Sequence, residues 1–155
     1  NRDFDTYRLM RSHNDMDAMV TALRFSPERP SFWMLNVGET HYPYIRAGEQ
    51  APELPHLSGV HGVAKRLEEG RGVAAADGPA WFSDALLASL HDRQVQTLRS
   101  LDRVFERLFD TVPKGTWVIV TADHGELFGE GGYFGHGPIA HDKVFEVPFV
   151  EGRIE

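Results

Sequence analysis

The chain has 155 residues, a length that fits one domain and buries a genuine hydrophobic core. Apolar residues at 41% and charged residues at 25% match an ordinary globular protein and exclude a disordered or collagen-like chain, while the absence of cysteine excludes a disulfide-stapled one. Sixteen basic against 23 acidic residues leave a formal charge of −7, the wrong sign for a chain whose main partner is nucleic acid, because phosphate neutralisation supplies most of that affinity.

In chain order, the first eight residues, Asn-Arg-Asp-Phe-Asp-Thr-Tyr-Arg, hold no apolar h-region, which leans towards a cytoplasmic location. Residues 12–25 read as a short helix. Ser12 or Asn14 suits its cap, Asp15 and Asp17 suit its first turn, Met16, Met19, Val20 and Leu23 recur at helical spacing, and Pro27 and Pro30 stop it. Residues 31–37 (Ser-Phe-Trp-Met-Leu-Asn-Val) form an apolar run of strand length, with the pattern of a strand buried on both faces. Residues 40–79 are rich in Pro and Gly, with one helical turn expected around 63–67; a stretch so long without regular structure is often functional.

Residues 83–109 carry the strongest helical signal, with Ser83 as N-cap and Leu87, Leu90, Leu98, Leu101, Phe105 and Leu108 on one stripe. Pro113-Lys114-Gly115 ends that region. Residues 116–121 (Thr-Trp-Val-Ile-Val-Thr) are a second buried-type strand, 122–140 a glycine-dense loop, and 144–150 a third strand in which Pro148 favours an edge or an end. No apolar run approaches the ~20 residues that span a bilayer, so no membrane span is expected. Strand, helix, strand is a βαβ unit, which handedness makes parallel in nearly all cases, with ligands beyond the carboxyl ends of the strands. Two polar clusters occupy those places: Glu39-Thr40-His41 after the first strand and Asp123-His124-Gly125-Glu126 after the second.

Each cluster admits two readings. Asp123 and His124 pair a carboxylate oxygen with an imidazole nitrogen, a donor set suited to zinc or manganese, and Gly125 frees the turn that lets adjacent residues reach one ion. Alternatively, Asp123 caps the next segment and His124 packs locally. His41 binds an anionic oxygen or moves a proton, or it is an exposed loop histidine beside Tyr42 and Tyr44. His136 and His141 lie in a segment whose glycines permit close approach of backbone to a ligand, though such loops also serve as plain turns. His-Glu-x-x-His and the Walker and Rossmann glycine spacings are absent.

Residues 32–44 (Phe-Trp-Met-Leu-Asn-Val-Gly-Glu-Thr-His-Tyr-Pro-Tyr) resemble the strand and Thr-His-x-Pro segment of the sulfatase family, within the alkaline phosphatase superfamily. Residues 116–137, centred on Thr-Ala-Asp-His-Gly-Glu, resemble its Ser/Thr-Asp-His-Gly-Glu metal segment, and residues 143–150 its closing Val-Pro-hydrophobic strand. The likeness covers roughly 30–150 in the family's order. It implies an alkaline-phosphatase-like α/β fold, a mostly parallel sheet with flanking helices. It implies that Asp123 and His124 hold a divalent ion (Mn, Zn or Ca), and that His41 and His136 contact an anionic sulfate, phosphate or phosphonate ester. The family's nucleophile and further Asp ligands have no counterpart in residues 1–30, and no Cys-x-Pro/Ala-Ser-Arg pattern occurs, so no nucleophile is assigned. The chain therefore reads as the C-terminal half of a hydrolase (or transferase) domain, inactive alone and completed by an N-terminal half or another copy; the alternative is a non-catalytic sulfatase-like module.

Overall fold

The computed structural model describes residues 3–50, 83–137 and 139–155. The chain divides into two units, residues 1–51 with 96–113 and residues 52–95 with 114–155, so that one boundary falls inside the long helix. The helical turn expected around 63–67 lies outside the described residues.

In the first unit, α1 (Met16–Ala22) begins at Asp15, whose side chain accepts a hydrogen bond from the Ala18 N–H at 2.9 Å. The expected caps are engaged elsewhere: Ser12 bonds Asn14, and Asn14 Nδ2 donates to the Ile45 carbonyl at 3.1 Å. Met16, Met19, Val20 and Leu23 are buried, as their spacing predicts. Asp17 of α1 pairs with Arg107.

The long helix α2 (Asp84–Thr111) is capped by Ser83, whose Oγ accepts from the Leu86 N–H at 3.2 Å. Leu90, Leu101 and Leu108 are buried as expected, but Leu98 is 47% exposed and Thr97 takes the inward place. One residue is a rotation of about 100°, so a stripe drawn through Leu98 is a stripe turned off the core. Burying Thr97 is tolerable because its hydroxyl donates to the Tyr44 carbonyl at 3.2 Å.

The 31–37 run forms no strand. Phe32 and Met34 are 76% and 72% exposed, Phe32 stacks on Phe4, and Trp33 meets Phe25 edge-on. Apolar composition suits a strand, but a ladder needs a partner to receive its N–H and C=O groups, and no described segment of this unit supplies one.

In the second unit, β1 (Trp117–Thr121) pairs with β4 (Phe149–Arg153), Trp117 opposite Arg153 and Thr121 opposite Phe149. The ladder is antiparallel, so the mostly parallel sheet expected from the sequence is not found among the described residues. The strand that joins β1 is the one the chain brings back beside it after residues 122–148, and the 31–37 run takes no part. Trp117 and Ile119 are exposed rather than doubly covered. Residues expected to begin the last strand instead make one helical turn, α3 (Asp142–Phe145), capped by His141, whose Nδ1 accepts from the Lys143 N–H at 3.1 Å. Pro148, which has no N–H to give a ladder, precedes the first residue of β4. Inside the supposed loop 122–140 lies a small hairpin, β2 (Leu127–Phe128) against β3 (Phe134–Gly135), turned by a 3-10 segment, Glu130–Gly132. Leu127 and Phe134 bury its inner face. Among the described residues no helix is long and apolar enough to cross a membrane.

Candidate functional site

In the second unit the chain leaves β1 at Thr121 and turns at once through Ala122-Asp123-His124-Gly125-Glu126 into β2. Gly125 is what permits this turn. Its N–H donates to the Val144 carbonyl at 2.8 Å, and a Cβ there would stand 2.7 Å from the Glu146 carbonyl oxygen and still closer to that of Lys143. The polar segment is thereby clamped to α3, with no room for a side chain between them.

The hairpin returns His136 beside His124, ring centroids 3.5 Å apart and planes tilted by 32°. His136 Nδ1 lies 3.2 Å from Glu126 Oε1, in a contact whose side chains are 15% and 7% exposed. A carboxylate only accepts, so His136 carries a proton on Nδ1. His124 Nδ1 lies 2.9 Å from the Gly125 carbonyl oxygen, so Nδ1 is again the donor and Nε2 is the nitrogen left for a ligand. That Nε2 stands 3.7 Å from Asp123 Oδ1. Two donors each about 2.1 Å from one ion lie about 3.4 Å apart at a tetrahedral angle, so this pair has the span of a chelate. Asp123, 90% exposed, opens that face to solvent. Among the described residues, no group of three or more His, Asp or Glu side chains is placed to hold a metal ion.

The first unit holds the other cluster. Gly38 N donates to the His13 carbonyl at 3.0 Å, His41 N to Gly38 O at 3.1 Å and Tyr44 N to His41 O at 2.7 Å. These stacked turns carry His41 between two buried anchors, Glu39 and Tyr44. Glu39 Oε1 accepts from the Met16 N–H at the start of α1 at 2.7 Å, and Tyr44 sits with φ of 57° beyond the cis Tyr42–Pro43 peptide. His41 itself is exposed, and its Nδ1 lies 2.8 Å from the Tyr42 carbonyl oxygen, which leaves Nε2 to face a ligand. Burial raises the Tyr42 phenol above its ordinary pKa.

Of the four residues singled out from sequence, Asp123, His124 and His136 thus gather in one cluster, and His41 occupies its own turn in the other unit. Glu126 was read only as part of the polar run; its partnership with His136 is a cross-hairpin contact between residues ten apart. The hairpin was the signal that could have found it, hidden because two-residue strands leave almost no alternation to read. His141 separates from the others by chemistry, since its Nδ1 accepts a backbone N–H and its role is a helix cap. A cleft of about 340 Å³ lined by Val20, Leu23, Arg24 and Arg107 contains none of these histidines.

No curated protein and no solved structure gives a significant match to the chain. The sulfatase family matches residues 4–150, a span that takes in both polar clusters, and the chain belongs to that family.

Proposed function

We propose that the chain supplies the metal- and substrate-binding part of a metal-dependent hydrolase (or transferase) acting on sulfate, phosphate or phosphonate esters. The observation that carries this reading is the Asp123–His124 donor pair, 3.7 Å across, with the Glu126–His136 pair packed on it directly after β1. Asp123 Oδ1 and His124 Nε2 would hold a divalent ion, Mn, Zn or Ca. Such an ion, when bound, supplies Lewis-acid polarisation of an ester oxygen. His41, exposed on its anchored turn, would donate an Nε2–H to an anionic oxygen, and His136 would give an Nε2 proton to the leaving oxygen.

Two donors fall short of the three or more protein ligands usual at a catalytic ion, so the chain alone binds metal weakly. The further ligands and the nucleophile come, in this reading, from an N-terminal half or another copy. The finer fold is then α/β with a mostly parallel sheet, in which the apolar 31–37 run and the exposed Trp117 and Ile119 of β1 find cover. The two-donor shell also supports a second reading, a non-catalytic sulfatase-like binding module.

Titrating the chain with Mn, Zn and Ca, then assaying aryl sulfate, phosphate monoester and diester substrates, tests the proposal. Weak metal binding is expected, lowered at least ~10-fold by Asp123→Ala or His124→Ala and unchanged by His41→Ala. Inorganic phosphate binding in the presence of metal should fall in all three variants. No multiple turnover is expected from the chain alone; addition of the complementary half should restore it for an enzyme and leave it absent for a binding module. Equal metal loss in all three variants contradicts the division of roles.

A further inference from the structure

We infer that the exposed face of the β1–β4 ladder is an interface between two copies of this chain, packed face to face about a two-fold axis at the level of Val118 and Gly152. Of the partners named above, an N-terminal half and another copy, this face fits the second; metal and substrate binding play no part in it. Directly opposite residues of an antiparallel ladder share a face, so Trp117 stands beside Arg153, Ile119 beside Glu151 and Thr121 beside Phe149. β1 alternates exposed and half-buried positions, with Trp117, Ile119 and Thr121 on its exposed side. Trp117, Ile119 and Phe149 are each more than half exposed, a run of apolar surface that association would remove from water.

The charges on this face select what covers it. Arg153 Nε donates to the Gly115 carbonyl at 3.2 Å, and neither Arg153 nor Glu151 makes an ion pair among the described residues. The two lie on one strand, two residues apart, and carry opposite charge. A two-fold axis running across the strands midway between them reverses the strand direction in the second copy. Glu151 then stands over Arg153 of the second copy, Arg153 over Glu151 of the second copy, and Trp117 over Ile119 of the second copy. Facing sheets pack about 10 Å apart, a gap that a glutamate and an arginine reaching from opposite walls close together. An axis at the Ile119–Glu151 level would set Glu151 on its own counterpart, and one at the Trp117–Arg153 level would do the same to Arg153. Like charges make both of those registers costly, and an axis along the strands would leave both charges facing apolar groups. The apolar residues thus supply attraction and the charged ones fix the register. Six side chains per copy are few beside the ~20–30 residues a side of a standard interface, so the association is weak, with a Kd of ~10–100 μM.

Sedimentation equilibrium of the 155-residue chain should show this monomer–dimer equilibrium. Glu151→Arg and Arg153→Glu should each weaken it at least ~10-fold, since the two-fold axis turns one substitution into two like-charge contacts. Mixing those two variants should restore association, because every facing pair is then opposite in charge. The Glu151→Arg/Arg153→Glu double variant should associate by itself for the same reason. Trp117→Ala should weaken the dimer at least ~10-fold and leave urea unfolding of the monomer near that of the parent, so it decides the matter if either charge reversal unfolds the chain. A chain still monomeric at ~500 μM would leave the face to an N-terminal half or another partner and overturn the inference. So would a dimer indifferent to Trp117→Ala or to both charge reversals, or folded single variants that stay monomeric when mixed.

Discussion

The two polar clusters solve one problem in different ways. Around His41 the anchors are buried and the histidine is not: Glu39 is tied to α1, Tyr44 fills the interior, and His41 stands exposed on turns made by backbone hydrogen bonds. Around His124 and His136 the histidines themselves are packed, one on the other, and the exposed group is the carboxylate of Asp123. The first arrangement presents a single group from a rigid support. The second builds a cluster whose members fix one another. The difference teaches that a substitution near His41 acts through the support, whereas one near His124 changes the chemistry directly.

The largest expected effects lie at the supports. Tyr44 and Leu127 are fully buried, one under each cluster. Truncating a fully buried large side chain to alanine costs about 2–5 kcal/mol, towards the upper end for an aromatic ring. Urea unfolding should show Tyr44→Ala and Leu127→Ala as the most destabilised of the variants considered, and a loss below ~1 kcal/mol at either would mean that its cluster rests on something else.

Next in size come the glycines against which the backbone closes. At Gly38 and Gly125 a Cβ would collide with backbone carbonyl oxygens, of His13 in one case and of Lys143 and Glu146 in the other. Backbone cannot swing aside as a side chain can, so Gly38→Ala and Gly125→Ala should each cost about 1–3 kcal/mol or more. Gly132 is the control: φ is +81° but nothing lies within 4 Å of a Cβ there, so Gly132→Ala should lose only the ~1–2 kcal/mol of a left-handed residue. Gly125→Ala should also disturb metal binding, whereas Gly38→Ala should weaken phosphate binding and leave metal binding intact. Parallel losses of both in both variants would erase the distinction between the clusters.

How much of this was legible in the sequence depends on how local each feature is. Ser83 capping α2, the four buried apolar residues at the end and in the body of α1, and the polar turn after β1 are written in residues a few positions apart, and all were readable. Pairing was not. The 31–37 run and β1 have the same apolar character, yet only β1 has a ladder, because a strand is completed by a partner that the run's own residues do not name. The small hairpin in 122–140 was missed for the same reason, and Glu126 with it. At Thr97 and Leu98 the competition was finer: hydrophobicity favours Leu98, but the Tyr44 carbonyl satisfies the Thr97 hydroxyl, and the helix turns accordingly.

The smallest effect sharpens the comparison most. Glu39 is a buried carboxylate with two unlike oxygens: Oε1 accepts the Met16 N–H at 2.7 Å, and Oε2 has no hydrogen-bond partner among the described residues. Glu39→Ala leaves the buried Met16 N–H without an acceptor, a loss of about 1–3 kcal/mol. Glu39→Gln keeps an oxygen for that N–H and removes a carboxylate from a site where half of it is unsatisfied. Against this gain stands a weaker bond, since a carboxylate binds an N–H at a helix start more strongly than an amide does. The two terms oppose each other, so Glu39→Gln should fall within about 1 kcal/mol of the parent chain in urea unfolding. If His41 owes its place to the support alone, Glu39→Gln should also bind phosphate as the parent does, while Glu39→Ala should bind it more weakly with metal affinity unchanged. A Glu39→Gln variant that folds normally but loses phosphate would show that the Glu39 carboxylate acts on the ligand through its charge, and the first cluster would then resemble the second.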